Sequence, residues 1–144
     1  MSGGWEIRRD ELTARQFMDM RSRCGLAELE FVRVEAALAG GIFTLSAYEN
    51  GALAGMLRVI GDGSFVYLIY DVMVDPAFRR RGLGSRLVLR ALTEIEEMSP
   101  PGQWVSINLF SAPGKEHFYE RLGFVKLPRE KLGPGMQLFL QGRK

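Results

Sequence analysis

The sequence predicts a mixed α/β domain built around one sheet, and three observations carry that prediction. Apolar residues recur with helical spacing up to about residue 40 and with the two-residue spacing of strands from Ile42 onward. Asn50-Gly51 stands between two of the strand-like runs, "IFTLSAYE" and "ALAGMLRVI", where it is the strongest short-range signal for a hairpin. "SFVYLIYDVMV" (64–74), a nearly continuous apolar run, reads as a central strand and leads through a glycine-containing turn into an amphipathic helix.

The elements follow in order. "WEIRR" alternates as a short first strand. Thr13 is placed to cap a helix through "ARQFMDMRSR", with Phe17, Met20 and Cys24 on one face and Gly25 as its stop. "LAELEFVRVEAAL" (26–38) predicts a second helix, ended by Gly40-Gly41. After the hairpin and the central strand, a third helix presents Leu83, Leu87, Val88, Ala91, Leu92 and Ile95 inward, until "SPPG" ends it. "WVSINLF" predicts a strand, "KEHFYERLG" a short helix, and "FVKL" and "GMQLFLQ" two closing strands. The predicted order is β-α-α-β-β-β-α-β-α-β-β, one domain over residues 1–144.

Composition narrows the function classes. An apolar fraction of 47% and a charged fraction of 25% in 144 residues are those of an average globular domain. A net charge of +2 is too small to argue for a nucleic-acid partner. The single cysteine, Cys24, excludes an internal disulfide and a cysteine-rich metal site, and fits a reducing cytoplasm. The N-terminal stretch is charged where a signal peptide needs an apolar run, and no apolar stretch is long enough to span a bilayer. The reading is a cytoplasmic protein with neither membrane nor nucleic acid as partner.

The positive charge is local, in "DPAFRRRGLGSRL" (75–87), between the buried strand and the third helix. The first N–H groups of a helix have no internal partners, and the helix dipole adds partial positive charge there. Glycines let phosphates approach those amides, and arginines add charge-assisted contacts. The stretch is no Walker loop, because Gly84-Ser85-Arg86 stands where Gly-Lys-Ser/Thr is needed. It is no Rossmann fingerprint either, having two glycines halfway along the chain. Taken alone, the turn is equally compatible with a pyrophosphate cradle and with a solvated charged turn.

Its surroundings decide. "DVMVDPAFRRRGLGSRL" resembles the acyl-CoA signature of the GNAT superfamily of N-acetyltransferases, with Arg79, Gly82 and Gly84 at the fixed positions. "FYERLGF" (118–124) is similar to the second signature of that superfamily, at suitable spacing. Where many members carry an Asn seven residues before the motif tyrosine, this chain has Ala112. The resemblance covers the chain from about Ile42 and implies a GNAT-like acyl-CoA N-acyltransferase fold.

The resemblance also implies roles. Val72, Met73 and Val74 would pair with the pantetheine arm of acetyl-CoA, the co-substrate. Arg79, Arg80, Arg81, Gly82, Leu83, Gly84 and Ser85 would hold its pyrophosphate, mostly through main chain. Tyr119 would be the general acid for the departing thiolate. Asp71, at the reactive end of the strand, either recruits or deprotonates the amine, or is a buried carboxylate satisfied by its neighbours. Direct transfer leaves Cys24 no nucleophilic role. Tyr70, Phe110 and Met136 would line the acceptor pocket, together with the region Leu26 to Phe31. Aromatics around one carboxylate fit a primary amine of a small molecule. A non-catalytic acyl-CoA-binding module and a protein lysine or N-terminal acetyltransferase are the alternatives, and the family allows a homodimer. His117 reads as a surface residue, Glu94, Glu96 and Glu97 as a solvated helix face, and the methionines as core filler; no cluster has metal-ligand spacing.

Overall fold

Helix formation begins where side chains supply the hydrogen bonds that a helix end lacks. Thr13 caps α1 (Ala14–Arg23): its hydroxyl accepts from the Gln16 amide, and the Gln16 side chain accepts from the Thr13 amide. Phe17 and Met20 are buried, and Gly25, at a φ of 75°, follows the helix end. The second helix, α2, spans Phe31–Gly40, shorter than predicted. The Arg21 guanidinium donates twice to the Ala27 carbonyl, at 3.1 and 2.9 Å, which occupies the 26–30 segment in a connection instead of a first turn.

The computed structural model describes residues 4–143. The chain divides into two compact units, Met1–Phe110 and Ser111–Lys144.

The first unit holds β1 (Glu6–Arg9), α1, α2, β2 (Phe43–Glu49), β3 (Ala52–Gly61), β4 (Val66–Val74), a 3-10 turn at Pro76–Phe78, α3 (Leu83–Met98) and β5 (Ser106–Leu109). The strands lie in sequence order in one sheet, antiparallel throughout except for the parallel pair of β4 and β5. Asn50 and Gly51, at φ of 51° and 82°, make the two-residue turn between β2 and β3, a conformation that glycine and asparagine adopt readily. One sheet face carries Met56 and Met73, which cluster with Leu12, Phe17, Met20 and Val34 from α1, α2 and the segment before them. The other face receives α3. Leu83, Leu87, Val88, Ala91 and Ile95 are buried as predicted, whereas Leu92 is half-buried. A side chain at Gly55 would meet Leu83 and Leu87 at 3.0 and 3.2 Å, so the helix lies against bare backbone there.

In the second unit α4 (Glu116–Arg121) forms where "KEHFYERLG" predicts it. The two closing strands are a correction. Residues 124–127 and 135–141 form no strand, and the one backbone bridge in that stretch joins Arg129 to Leu132. Alternation of apolar residues marks a face for a strand but supplies no partner, and a strand exists only by pairing. The apolar side chains concerned, Leu138, Phe139 and Leu140, are exposed. The mixed α/β class holds.

Two smaller expectations also change. Glu94 is no member of a solvated face: it accepts from Arg9 Nη1 at 2.6 Å and Arg90 Nε at 2.8 Å, tying β1 to α3. Those hydrogen bonds, Arg90 first and Arg9 second, hold its carboxyl below the usual range. The methionines are core at Met20, Met56 and Met73, but Met136 is 91% exposed.

Candidate active site

The strand β4 changes character halfway along. Its first part, Val66–Ile69, pairs with β5 on one side and β3 on the other. From Tyr70 to Val74 the β5 side carries no strand, because β5 ends at Leu109. On the β3 side, Met56 faces Met73 and Arg58 faces Tyr70, so Asp71 and Val72 stand together opposite Leu57 in a β-bulge. Asp71 has a φ of 54°, the left-handed region that a side chain enters at a cost of about 1–2 kcal/mol. The open backbone edge thus runs through Val72, Met73 and Val74. Part of it is already engaged: the Val74 carbonyl accepts from Arg79 Nε at 3.0 Å and from the Cys24 thiol at 3.6 Å.

Beyond the strand, Asp75 accepts from the Ala77 amide at 2.8 Å and pairs with Arg23, which fixes the turn into the loop. Gly82 then opens α3 with a φ of 82°, and it offers no side chain to cap the helix. The first helical bond is made by the Arg86 amide, to the Gly82 carbonyl at 3.1 Å. Among the described residues, the amides of Gly82, Leu83, Gly84 and Ser85 donate to no protein acceptor. A Cβ at Gly82 would meet nothing within 4 Å, so no neighbouring group crowds that residue. Four unpaired donors at the positive end of a helix dipole fit the phosphates of an acyl-CoA.

The three loop arginines are not equivalent. Arg79 turns back to Val74 and reaches Cys24 Sγ with Nη2 at 3.6 Å. Arg81 makes a two-pronged pair with Glu49 at 2.6 and 3.3 Å and lies over Trp5 and Phe78. Arg80 is exposed, at a φ of 64°, and its side chain makes no protein hydrogen bond among the described residues.

The Asp71 carboxylate is nearly enclosed. Arg58 Nε donates to Oδ2 at 2.6 Å, and Arg21 Nη1 stands 3.8 Å from Oδ1. Tyr70 and Phe110 meet edge to face, with ring centroids 6.4 Å apart. Sequence reasoning found Tyr70, Asp71 and Phe110 but missed Arg21 and Arg58. Leu26 and Phe31 are partly exposed at the edge of the helical pair.

Within the second unit, Tyr119 packs edge-on between Phe118 and Phe124, at 4.8 and 6.0 Å to their respective neighbouring ring centroids. Burial raises its phenol above the ordinary value near 10, so it is a neutral donor at physiological pH. His117 is exposed and faces Glu120 at 3.2 Å. Met136, in the same unit, lies in the exposed C-terminal stretch. Among the described residues no three His, Cys, Asp or Glu side chains gather as a metal site, and no helix is long and apolar enough to cross a membrane.

A half-paired strand with a bulge thus runs into an uncapped, glycine-opened helix, and together they form the candidate site. The chain belongs to the acetyltransferase (GNAT) family, whose domain profile matches residues 25–139. It is 30% identical over 131 residues to the chloroplastic GCN5-related N-acetyltransferase 1 of Arabidopsis thaliana, covering 88% of this chain and 64% of that protein. It is 40% identical over 83 residues to the blasticidin-S acetyltransferase of Streptomyces morookaense, covering 56% of this chain and 57% of that one. The chain therefore spans less than two thirds of the length of these relatives. In fold it is similar to a GNAT-family acetyltransferase of Streptococcus pneumoniae, with a TM-score of 0.77, 21% identity and coverage of 96% and 98% of the two chains. Members of this family use acetyl-CoA as co-substrate.

Proposed function

We propose that this protein is an N-acetyltransferase that moves the acetyl group of acetyl-CoA directly to a primary amine of a small molecule. The observation that carries the reading is the row of unpaired amides from Gly82 to Ser85 at the start of α3, directly after the open edge of β4. Acetyl-CoA supplies the acetyl group as a thioester, which an amine nitrogen attacks without an enzyme-bound intermediate.

The chain's residues divide the work. The amides of Gly82, Leu83, Gly84 and Ser85 hold the pyrophosphate, with Arg80 as a solvent-side cation, while the Val72–Val74 edge holds the pantetheine arm. At pH 7 an alkylamine is protonated, and removing that proton costs roughly 4–5 kcal/mol. Asp71 Oδ1, which Arg21 Nη1 approaches at 3.8 Å while Arg58 Nε bonds Oδ2 at 2.6 Å, accepts the hydrogen bond of the amine and its proton. As the carbon–sulfur bond breaks, the Tyr119 phenol donates its proton to the leaving sulfur and recovers one from solvent. A phenol kept neutral by burial is suited to that donation. A small-molecule acceptor is supported by the aromatic pair Tyr70 and Phe110, and by the name of the blasticidin-S relative.

The test is calorimetric titration of acetyl-CoA into the purified chain beside the Arg79→Ala/Gly82→Asp double variant, then thiol release over a panel of small amines and lysine peptides. Saturable binding lost in the variant, with turnover of small amines, is the expected result. A wild type that does not bind acetyl-CoA overturns the reading, and turnover of peptides alone moves the acceptor to proteins.

A further inference from the structure

The sheet face covered by α1 holds a charge arrangement that acetyl transfer to a simple amine does not require. Arg58 on β3 and Tyr70 on β4 are direct cross-strand partners, and Asp71 follows in the bulge. Arg21 reaches the same carboxylate from α1, so two guanidinium groups share one anion. The three side chains are 16%, 18% and 9% exposed for Arg21, Arg58 and Asp71, which leaves one positive charge in excess in a largely dry place.

The surplus sits on Arg58. Its Nε is used by Asp71, but its two terminal nitrogens make no protein hydrogen bond among the described residues. Arg21, by contrast, spends Nε and Nη2 on the Ala27 carbonyl. The Arg58 guanidinium lies 5.4 Å from the Tyr70 ring centroid and 6.0 Å from that of Phe17, so aromatic faces flank it. A planar fork with unused donors, fixed between rings, is the geometry that receives a carboxylate or a phosphate. The left-handed backbone at Asp71 points the same way: a strained residue persists where its surroundings hold it, and here two arginines do.

We infer that the acceptor carries an anionic group, a carboxylate or a phosphate, close to its amine, and that Arg58 is the specificity-determining residue that binds it, with Arg21 as the supporting cation. Such an acceptor meets the trio at both ends: its ammonium faces Asp71 Oδ1 and its anion faces the Arg58 fork. This inference rests on the acetyl-transfer reading above and narrows its substrate class.

The experiment has a binding arm and a turnover arm. Calorimetry measures two amine-free anions, 3-phenylpropionate and ethyl phosphate, against wild type, Arg58→Gln and Asp71→Asn. Asparagine tolerates the left-handed backbone, so the second variant preserves the bulge while removing the competing anion. Wild type should bind at least one of the two compounds; Arg58→Gln should weaken it by about tenfold or more, and Asp71→Asn should tighten it by about threefold or more. In turnover, phenylalanine should exceed phenethylamine, or phosphoethanolamine should exceed ethanolamine, by about tenfold in kcat/KM, and Arg58→Gln should erase the difference. The first pair responding identifies a carboxylate, the second a phosphate. Binding of neither compound to wild type overturns the inference, as does equal binding by wild type and Arg58→Gln, or weaker binding by Asp71→Asn. Failure of acetyl-CoA to bind overturns the transferase reading instead, while the anion titrations still report on Arg58.

Discussion

Two groups of arginines in this molecule look alike on paper and differ in what they can do. Arg79, Arg80 and Arg81 are consecutive, and two of the three are committed to the protein itself, Arg79 to the Val74 carbonyl and Arg81 to Glu49. In the proposed function, anion binding at that loop falls to the backbone, through the amides of Gly82 to Ser85, which are unpaired among the described residues. Arg21 and Arg58 lie far apart in sequence, yet they converge on Asp71, and Arg58 keeps its terminal donors unused among the described residues. A run of charge in a sequence is therefore no measure of a ligand site; what counts is which donors the fold leaves without a partner.

The largest effect expected from this contrast is at Gly82. Gly82→Asp puts a negative charge and a strained φ in front of the amides, and should weaken acetyl-CoA by about 100-fold to 1000-fold in calorimetry, with only a small change in melting temperature. A variant that still binds tightly would move the anion site to side chains.

Next comes Tyr119→Phe, which should lower kcat by about 100-fold and leave acetyl-CoA binding intact, separating chemistry carried by a side chain from binding carried by backbone. The acid must be protonated and burial raises its phenol, so the alkaline limb of the wild-type rate should fall above pH 10 and be absent in the variant.

Arg80→Ala and Arg81→Ala divide the loop more finely. The former should weaken acetyl-CoA by about threefold and flatten its salt dependence at unchanged stability. The latter loses the Glu49 pair and should lower stability by about 0.5–1 kcal/mol in urea titration, a value kept small because the Arg81 side chain is 37% exposed. Equal effects of the two on binding would erase the distinction between them.

A comparable effect on stability is expected at Glu94, where a charge read as solvated joins β1 to α3. Glu94→Gln should lower stability by about 1 kcal/mol at pH 7. The folded carboxyl titrates below its unfolded value near 4.3, so this contribution is present above that pH and is lost as acid titrates the folded state. Urea midpoints of wild type and variant should therefore converge toward pH 3.

What was legible in the sequence is what neighbouring residues decide among themselves. The Thr13 cap, the Asn50-Gly51 turn, the inner face of α3 and the glycine that opens it are all local. The row of unpaired consecutive amides at the start of α3 was readable for that reason. The surroundings of Asp71 were not: Phe17, Arg21 and Arg58 reach it from α1 and β3, and only the α1–β3–β4 geometry makes them its neighbours. The bulge at Asp71 carried no sequence signal, since its left-handed residue is neither glycine nor asparagine. The late start of α2 came from Arg21 holding Ala27, a contact between helix and connection. The closing strands failed because alternation in 124–127 and 135–141 gives no register.

The Arg81–Glu49 pair has an engineering consequence. Glu49 is the last residue of β2, directly before the Asn50-Gly51 turn, so the glycine loop is moored to a hairpin tip on the molecular surface. Lengthening that tip by a residue or two would slacken the mooring without altering Gly82 to Ser85. The hairpin is thus a remote handle on how firmly the glycine loop is held, one that can be turned by loop grafting while the start of α3 stays as it is.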